Sequence, residues 1–154
     1  MSLTKVKEYF KEYQIEDRII ELSESTATVK QAAESLHTEE CRIAKTLSFI
    51  IEEKPILIVT AGDAKIDNSK YKSHFSTKAK MIPANEVENL IGHNIGGVCP
   101  FAINENVIVY LDESLKRFET IYPACGSSNS AIELTINELE KYSKYSSWID
   151  VCKY

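Results

Sequence analysis

Several stretches of this sequence have residue types and spacings that could support catalysis, and the first is residues 95–101, IGGVCPF. Two adjacent glycines and a proline are incompatible with an ordinary helix or a central strand. Because the segment is apolar at both ends, we expect a rigid loop held in the core. Backbone N–H groups fixed in such a loop, at Gly97 and Val98, can hold a carbonyl or an anion. The alternative is a tight turn between a helix and a strand.

Lys45 is the second candidate, and it lies in the apolar segment 43–51, which is predicted to be a strand. Period-two alternation places Lys45 on the same face as Leu47, Phe49 and Ile51. A lysine on an inward face is costly unless it has a partner or reaches an opening. Two interpretations therefore stay open: a functional cation in a cleft, or a strand-end lysine whose ammonium reaches water.

A cysteine-dependent hydrolase is a third possibility, with Cys99 as nucleophile and His93 as its base. The sequence offers no identifiable third group, and a cysteine in an apolar loop is more often a small buried hydrophobe. His37 and Cys41 are four residues apart, which suits two metal ligands on a helix, but no third ligand is evident. No metal site and no cofactor are therefore predicted.

The composition bounds the class of protein. The 154 residues suit a single domain, residues 1–154, with 44% hydrophobic and 27% charged residues. A net charge of -5 argues against strong non-specific nucleic-acid binding. The sequence has no secretory signal and no apolar run long enough to span a membrane. Its four cysteines are widely spaced and form no CxxC pair, so disulfides are not expected. Free cysteines fit a reducing compartment, and we therefore expect a cytoplasmic location.

One region departs from the acidic balance. Residues 63–80 contain five lysines against two aspartates, and these lysines are Lys65, Lys70, Lys72, Lys78 and Lys80. A run of this kind is more often a solvated helix face than a binding site. The alternative is a basic patch for a phosphate-bearing partner.

The order of predicted elements favours an α+β fold. Thr28–Gln31 and Thr135–Glu138 fit capping boxes that open helices, and Asp67 can cap another. A turn at residues 53–55 predicts a hairpin between strands 43–52 and 56–60. Further predicted strands are residues 18–22, 80–82, 107–111, 121–124, 131–134 and 148–152. Helices and hairpins mixed in this way predict a curved, mixed sheet flanked by helices.

Three blocks carry a resemblance to a known family: residues 25–49 (STATVKQAAESLHTEECRIAKTLSF), 95–101 (IGGVCPF) and 110–134 (YLDESLKRFETIYPACGSSNSAIEL). Together, in this order and spacing, they resemble the YbaK/prolyl-tRNA synthetase-associated domain family. The resemblance implies an α+β domain with a barrel-like sheet. It also implies a freestanding aminoacyl-tRNA deacylase that hydrolyses amino acids wrongly esterified to tRNA.

The resemblance also implies roles for particular residues. Lys45 matches the functional lysine of the family, and residues 96–100 match its GxxxP loop, so Lys45, Gly96, Gly97 and Val98 are expected to be catalytic. Substrate-binding roles are expected for Cys99, Pro100, Gly126, Ser127 and Asn129. The family often carries histidine where this chain has Asn129, which leaves the amino-acid preference open.

These observations lead to one main hypothesis and two alternatives. The main hypothesis is a trans-editing deacylase whose partner is the 3′ aminoacyl end of mischarged tRNA. The five lysines are then expected to contact the tRNA, and an aminoacyl-tRNA synthetase is a second candidate partner; neither a membrane nor DNA is expected. The alternatives are a non-catalytic binding module of the same fold and a hydrolase that depends on Cys99.

Overall fold

The computed structural model describes residues 2–26 and 28–154. Its helices are α1 (Ser2–Lys11), α2 (Val29–Leu36), α3 (Asn68–Phe75), α4 (Ala84–Ile91) and α5 (Ile136–Ser143). Its strands are β1 (Ile20–Glu21), β2 (Ile43–Ile51), β3 (Lys54–Ala61), β4 (Lys65–Ile66), β5 (Ile108–Asp112), β6 (Thr120–Pro123), β7 (Ser130–Ala131), β8 (Leu134–Thr135), β9 (Ser147–Ile149) and β10 (Cys152–Lys153). Short 3-10 turns occupy Glu16–Arg18, Glu40–Arg42, Ile95–Gly97 and Glu113–Arg117.

The main sheet has six strands in the order β8-β6-β2-β3-β5-β9, and it curves into a half-barrel. Its centre is the antiparallel hairpin of β2 and β3, in which Lys45 is opposite Thr60. The β2–β6, β3–β5 and β5–β9 pairs are parallel, so the sheet is mixed. Two short antiparallel ladders, β1–β7 and β4–β10, lie outside it. The predicted α+β class and the predicted hairpin are confirmed.

Three helices, α2, α3 and α5, begin where the capping signals in the sequence predict. Thr28 and Thr135 each accept a hydrogen bond from the backbone N–H three residues later, and both capping boxes are complete. Asp67 accepts from two backbone N–H groups at the start of α3. Gly92 ends α4 with a positive φ of 106°, which glycine adopts without strain.

The core fills the space between the curved sheet and its helices. Residues 55–61 of β3 are all buried, which is expected for a central strand with both faces covered. Phe10 of α1 packs against Phe101 with ring centres 4.8 Å apart, so α1 covers the end of segment 95–101, which we call the glycine loop. This packing fixes that loop from behind.

Four predicted strands differ from those observed. Residues 131–134 are divided between β7 and β8, and residues 148–152 between β9 and β10. In the second case the carboxylate of Asp112 accepts the N–H of Val151 at 2.9 Å, which takes that residue out of the sheet. The prediction of strand 18–22 holds only for β1, because Arg18 is the end of a 3-10 turn. Residues 80–82 contribute one bridge, between Met81 and Phe49.

Glu138 supports a prediction about acid stability. Its carboxylate accepts a hydrogen bond from Arg18 at 2.7 Å, and this bond, helped by the charge of Arg18 and by hydrogen bonds from Thr135, lowers the pKa of Glu138 to about 2 from an ordinary 4.5. Because the folded-state pKa is the lower one, the stabilisation is present above about pH 4.5 and is lost as the pH falls towards 2. We expect Glu138→Gln to cost about 0.5–1 kcal/mol at neutral pH, since the ion pair is partly exposed.

The measurement is the free energy of unfolding by urea at a series of pH values. The difference between wild type and Glu138→Gln should shrink as the pH falls below about 4.5. A difference that stays constant down to about pH 2 would contradict this role for the carboxylate.

Candidate active site

A cavity of about 250 Å³ opens between α2, β2 and the glycine loop. Its walls are largely apolar, and many of them are small side chains. Its lining residues are Thr26, Thr28, Val29, Ala32, Leu36, Ile43, Ala44, Lys45, Thr46, Leu47, Ile95, Gly96, Val98, Tyr122, Ala124, Ser130 and Ala131. Drug-sized ligands usually occupy about 300–1,000 Å³, so this cavity suits a smaller group.

Lys45 brings the one formal charge of the lining to the cavity. It is half-buried, and its ammonium has no hydrogen bond or ion pair within the described residues. Burial lowers the pKa of Lys45; Cys152 and Asp63 oppose that effect, and the charge of Lys65 adds to it. The ammonium is therefore a poorly solvated cation that gains stability from any negative group that enters.

The glycine loop presents its backbone differently from the sequence-based prediction. The N–H of Gly97 donates to the carbonyl of Asn94 at 2.9 Å, so it is not free to hold a ligand. Gly96 and Val98 line the cavity, and within residues 2–26 and 28–154 their N–H groups have no acceptor. The candidate backbone donors are therefore Gly96 and Val98, because the 3-10 turn uses the donor of Gly97.

Gly97 has a different role, which is to let two loops meet. A Cβ at Gly97 would lie 2.4 Å from the carbonyl carbon of Gly126 and 2.5 Å from the nitrogen of Ser127. Both contacts are with backbone, which cannot move aside as a flexible side chain can. Gly126 itself has a φ of 93° and packs on the carbonyl of Ser2. The two glycines thus fix the position of the loop that lines the cavity.

Residues 127–129 form hydrogen bonds with the chain before α2, and we call this connection the brace. Ser127 Oγ donates to Asn129 Oδ1 at 2.8 Å, and Asn129 Nδ2 donates to the carbonyl of Leu22 at 3.0 Å. Leu22 returns its own N–H to the carbonyl of Asn129 at 2.8 Å. Thr26 bonds the carbonyl of Ser128 through both its N–H and its hydroxyl. The chain before α2 is thereby held at the cavity wall.

Three of the predicted substrate-binding residues lie in this brace or next to it, outside the cavity lining. Gly126, Ser127 and Asn129 lie behind the cavity wall and do not line it. Ser130 and Ala131, which follow them in the chain, do line it. Both ends of the Asn129 amide are occupied by protein partners. A substrate contact by Asn129, as the sequence predicts, would have to displace one of them.

Cys99 and Pro100 lie away from the cavity. Cys99 is fully buried, and Pro100 lines a separate cavity together with Tyr9 and Val109. Substrate binding by these two residues stays a prediction, and within the described residues neither of them lines the cavity that contains Lys45. Their side chains face the core side of the loop, whereas the backbone of Gly96 and Val98 faces the cavity.

The structure also argues against Cys99 as a nucleophile. His93 Nε2 is 2.6 Å from the carbonyl oxygen of Phe101, which can only accept, so this nitrogen carries the proton. The same nitrogen is the one 3.5 Å from Cys99 Sγ, and it therefore cannot take the thiol proton. Burial raises the pKa of the Cys99 thiol to about 12 and lowers the pKa of His93.

We expect Cys99→Ser to lower any hydrolytic activity by less than tenfold. The substitution nearly preserves shape, whereas a nucleophilic thiol would lose several orders of magnitude on this change. Thiol-blocking reagents should leave Cys99 of the folded protein unmodified, since the thiol is inaccessible and protonated at neutral pH. Single-turnover kinetics and mass spectrometry of treated protein provide the measurements. Activity abolished by Cys99→Ser in a folded protein would restore the cysteine mechanism.

The five lysines of residues 63–80 lie on different elements, although Lys72 and Lys78 line one shallow cavity together. Lys65 lies in β4 and Lys70 and Lys72 in α3, while Lys78 and Lys80 follow that helix. The ammonium of Lys70 is held by Asp150 at 3.1 Å and by the carbonyl of Cys152 at 2.9 Å. Among the five, Lys65 is the lysine whose charge acts on Lys45.

Several lining residues were not singled out from the sequence. Tyr122 borders the cavity and has the guanidinium of Arg42 5.2 Å from its ring centre. Ile95 is 64% exposed at the cavity rim, which is unusual for a large apolar side chain. Val29, Ala32 and Leu36, on one face of α2, also line the cavity. Helical periodicity cannot tell a core-facing surface from a cavity wall.

The sequence profile of the aminoacyl-tRNA editing domain family matches residues 23–142. The chain belongs to this family. The matched range contains every residue that lines the cavity, including Lys45 and the glycine loop. The resemblance found from the three sequence blocks is therefore confirmed. Within the described residues of this editing domain, no helix has the length and apolarity that a membrane crossing requires.

Individual relatives of the editing domain agree with the family. The chain is 54% identical over 154 residues to "Uncharacterized protein YwhH" of Bacillus subtilis (strain 168), covering 99% of this chain and 98% of YwhH. It is 29% identical over 114 residues to EbsC of Enterococcus faecalis, which is assigned as a Cys-tRNA(Pro)/Cys-tRNA(Cys) deacylase, covering 73% and 70%. A crystal structure of a protein assigned as a trans-editing enzyme for prolyl-tRNA synthetase superposes with a TM-score of 0.87 at 27% identity, covering 99% and 98%.

Proposed function

We propose that this editing domain hydrolyses, in trans and in the cytoplasm, the ester bond of mischarged tRNA. The observation that carries the proposal is the composition of its cavity. A space of about 250 Å³ with mainly apolar walls contains one ammonium, Lys45, and two backbone N–H groups without protein acceptors, at Gly96 and Val98. Membership of the editing family supports the same reaction class.

The proposed reaction needs no covalent bond between the substrate and the protein. An aminoacyl ester is already reactive, so the enzyme must position it, polarise its carbonyl and admit water. The water oxygen attacks the carbonyl carbon, and the bond from that carbon to the ribose oxygen then breaks. The products are the free amino acid and a tRNA with a restored ribose hydroxyl. No protein nucleophile is required, which agrees with the inaccessibility of Cys99.

Lys45 and the two backbone N–H groups each have a role in this scheme. The N–H groups of Gly96 and Val98 donate to the oxyanion that develops on the carbonyl oxygen. Lys45 holds the ribose or the 3′-terminal phosphate as a compact cation, and burial strengthens that attraction. The apolar walls receive the amino-acid side chain, and their volume favours a small one.

The proposed macromolecular partner is the 3′ aminoacyl end of tRNA. The names of the relatives support a link to proline-specific tRNA, since they mention Cys-tRNA(Pro) and prolyl-tRNA synthetase. A synthetase that hands over its mischarged product is a second proposed partner. The lysines of residues 63–80 that are free of ion pairs supply positive charge for the tRNA backbone.

The test is a deacylation screen with purified protein and a panel of mischarged tRNAs. We expect hydrolysis above the spontaneous rate for at least one small amino acid on tRNA(Pro), and loss of that activity in Lys45→Ala prepared in parallel. Lys45→Ala controls for a contaminating esterase because it passes through the same purification. Tight tRNA binding without hydrolysis of any substrate would favour the non-catalytic binding module instead.

A further inference from the structure

Two lysines outside the cavity face each other across a short ladder. Lys65 of β4 is directly opposite Lys153 of β10 in the antiparallel register. Directly opposite residues put their side chains on the same face with Cβ atoms about 4.5–5.5 Å apart, and like charges in that position are destabilising. Both side chains are exposed, and neither forms an ion pair within residues 2–26 and 28–154. Among the residues that the structure describes, the pair has no counter-ion.

The acidic residues near this pair are already occupied. Both carboxylate oxygens of Asp63 are held by Arg117, at 2.6 and 3.0 Å. Asp150 pairs with Lys70 at 3.1 Å. Asp67, the third acidic residue close to the pair in sequence, accepts the N–H groups of Ser69 and Lys70, so none of the three carboxylates is paired with Lys65 or Lys153. This local excess of positive charge stands out in a chain whose net charge is -5.

The pair also lies beside the cavity cation. Lys45 is opposite Thr60 near the end of β3, and the chain passes from that end into β4 within four residues, so Lys65 lies close enough for its charge to act on Lys45. Lys45 is thus the residue that belongs both to the cavity lining and to the surroundings of the pair.

We propose that Lys65 and Lys153 form a clamp for a backbone phosphate near the 3′ end of the tRNA. The proposal rests on the proposed function, because it assumes that the ester in the cavity is attached to a nucleotide chain. Each nucleotide of that chain brings one phosphate, and lysines bind phosphates as point charges. Phosphate between the two ammonium groups would relieve a repulsion that the free protein must tolerate.

The decisive variant is Lys153→Glu, which we expect to have two opposite effects. It replaces the repulsion with a cross-strand ion pair to Lys65, so the melting temperature should rise. It removes the phosphate contact, so kcat/KM on mischarged tRNA should fall about fivefold to tenfold. On an aminoacyl-adenosine, which has the ester but no phosphate, kcat/KM should not change. Lys54→Glu is the matched control, because Lys54 lies at the opposite end of the β2–β3 hairpin from Lys45.

Binding of uncharged tRNA at several salt concentrations separates this proposal from the proposed function. The slope of log K against log salt should be smaller by about 0.7 for each lost contact in Lys153→Glu, and unchanged in Lys54→Glu. A smaller slope in a protein that hydrolyses nothing would support the clamp and overturn the hydrolase. An unchanged slope, or an equal loss of activity on tRNA and on aminoacyl-adenosine, would overturn the clamp.

Discussion

Lys45→Ala is expected to lower deacylation of mischarged tRNA by about ten- to a hundredfold and to leave the fold intact. Loss of a hydrogen bond to a charged group typically costs about 1.5–3 kcal/mol, and about 1.4 kcal/mol corresponds to a factor of ten in rate. Lys45 lines the cavity, and its ammonium has no protein partner in the described part of the chain. Its removal therefore leaves no other side chain unpaired.

The melting temperature adds a second readout for Lys45. Burial lowers the pKa of this lysine, so the charged form is disfavoured in the folded protein. That cost applies below the unfolded-state pKa and disappears as the pH rises, so at neutral pH its removal should stabilise the fold. Lys45→Met keeps most of the apolar stem and is the better variant for this measurement. A Lys45→Met protein that retains wild-type deacylation would exclude Lys45 from the reaction.

Gly97→Ala is expected to reduce both stability and activity strongly. The added Cβ would lie 2.4–2.5 Å from three backbone atoms of Gly126 and Ser127, so the two loops must separate. Overpacking of this kind typically costs about 1–3 kcal/mol. Displacement of the neighbouring Gly96 and Val98 donors by about 1 Å should cost activity on the order of a hundredfold.

Gly96→Ala is the matched control for that prediction. Its Cβ would approach only Ser128 Cβ, at 3.4 Å, and alanine keeps the backbone N–H that we assign to the oxyanion. We expect its free energy of unfolding to stay within about 0.5 kcal/mol of wild type, so its melting temperature should hardly change. Thermal melts and single-turnover deacylation of both variants give the comparison. Equal destabilisation by the two alanines would mean that contact with Gly126 does not define the loop.

Local signals predicted much of what positions the site. Alternation along β2 placed Lys45 on a face with Leu47, and β2 indeed brings it to the cavity. The capping boxes at Thr28 and Thr135 predicted the starts of α2 and α5, because a cap depends on residues within one helical turn. The turn at residues 53–55 similarly predicted the hairpin of β2 and β3.

Other features could not be derived from sequence patterns, because they depend on the exact path of two loops. Gly97 looked like a donor until its hydrogen bond to Asn94 and its packing on Gly126 were visible. Asn129 looked like a pocket residue, yet its amide is used by Ser127 and Leu22. Neither partner is marked by any motif. The direction that each residue of a short loop faces depends on tertiary contacts, which composition and periodicity do not encode.

The brace between Leu22 and Asn129 has a consequence for the order of folding. Its hydrogen bonds join residues more than a hundred positions apart, and the β1–β7 ladder extends the same connection. Contacts of such sequence separation carry a large loop-closure entropy and form late compared with a local hairpin such as β2–β3. A nascent chain that has emerged through β3 therefore has its lysine in a strand but only one side of the binding wall. The enclosure around Lys45 is completed only after residue 131 has been synthesised and has docked.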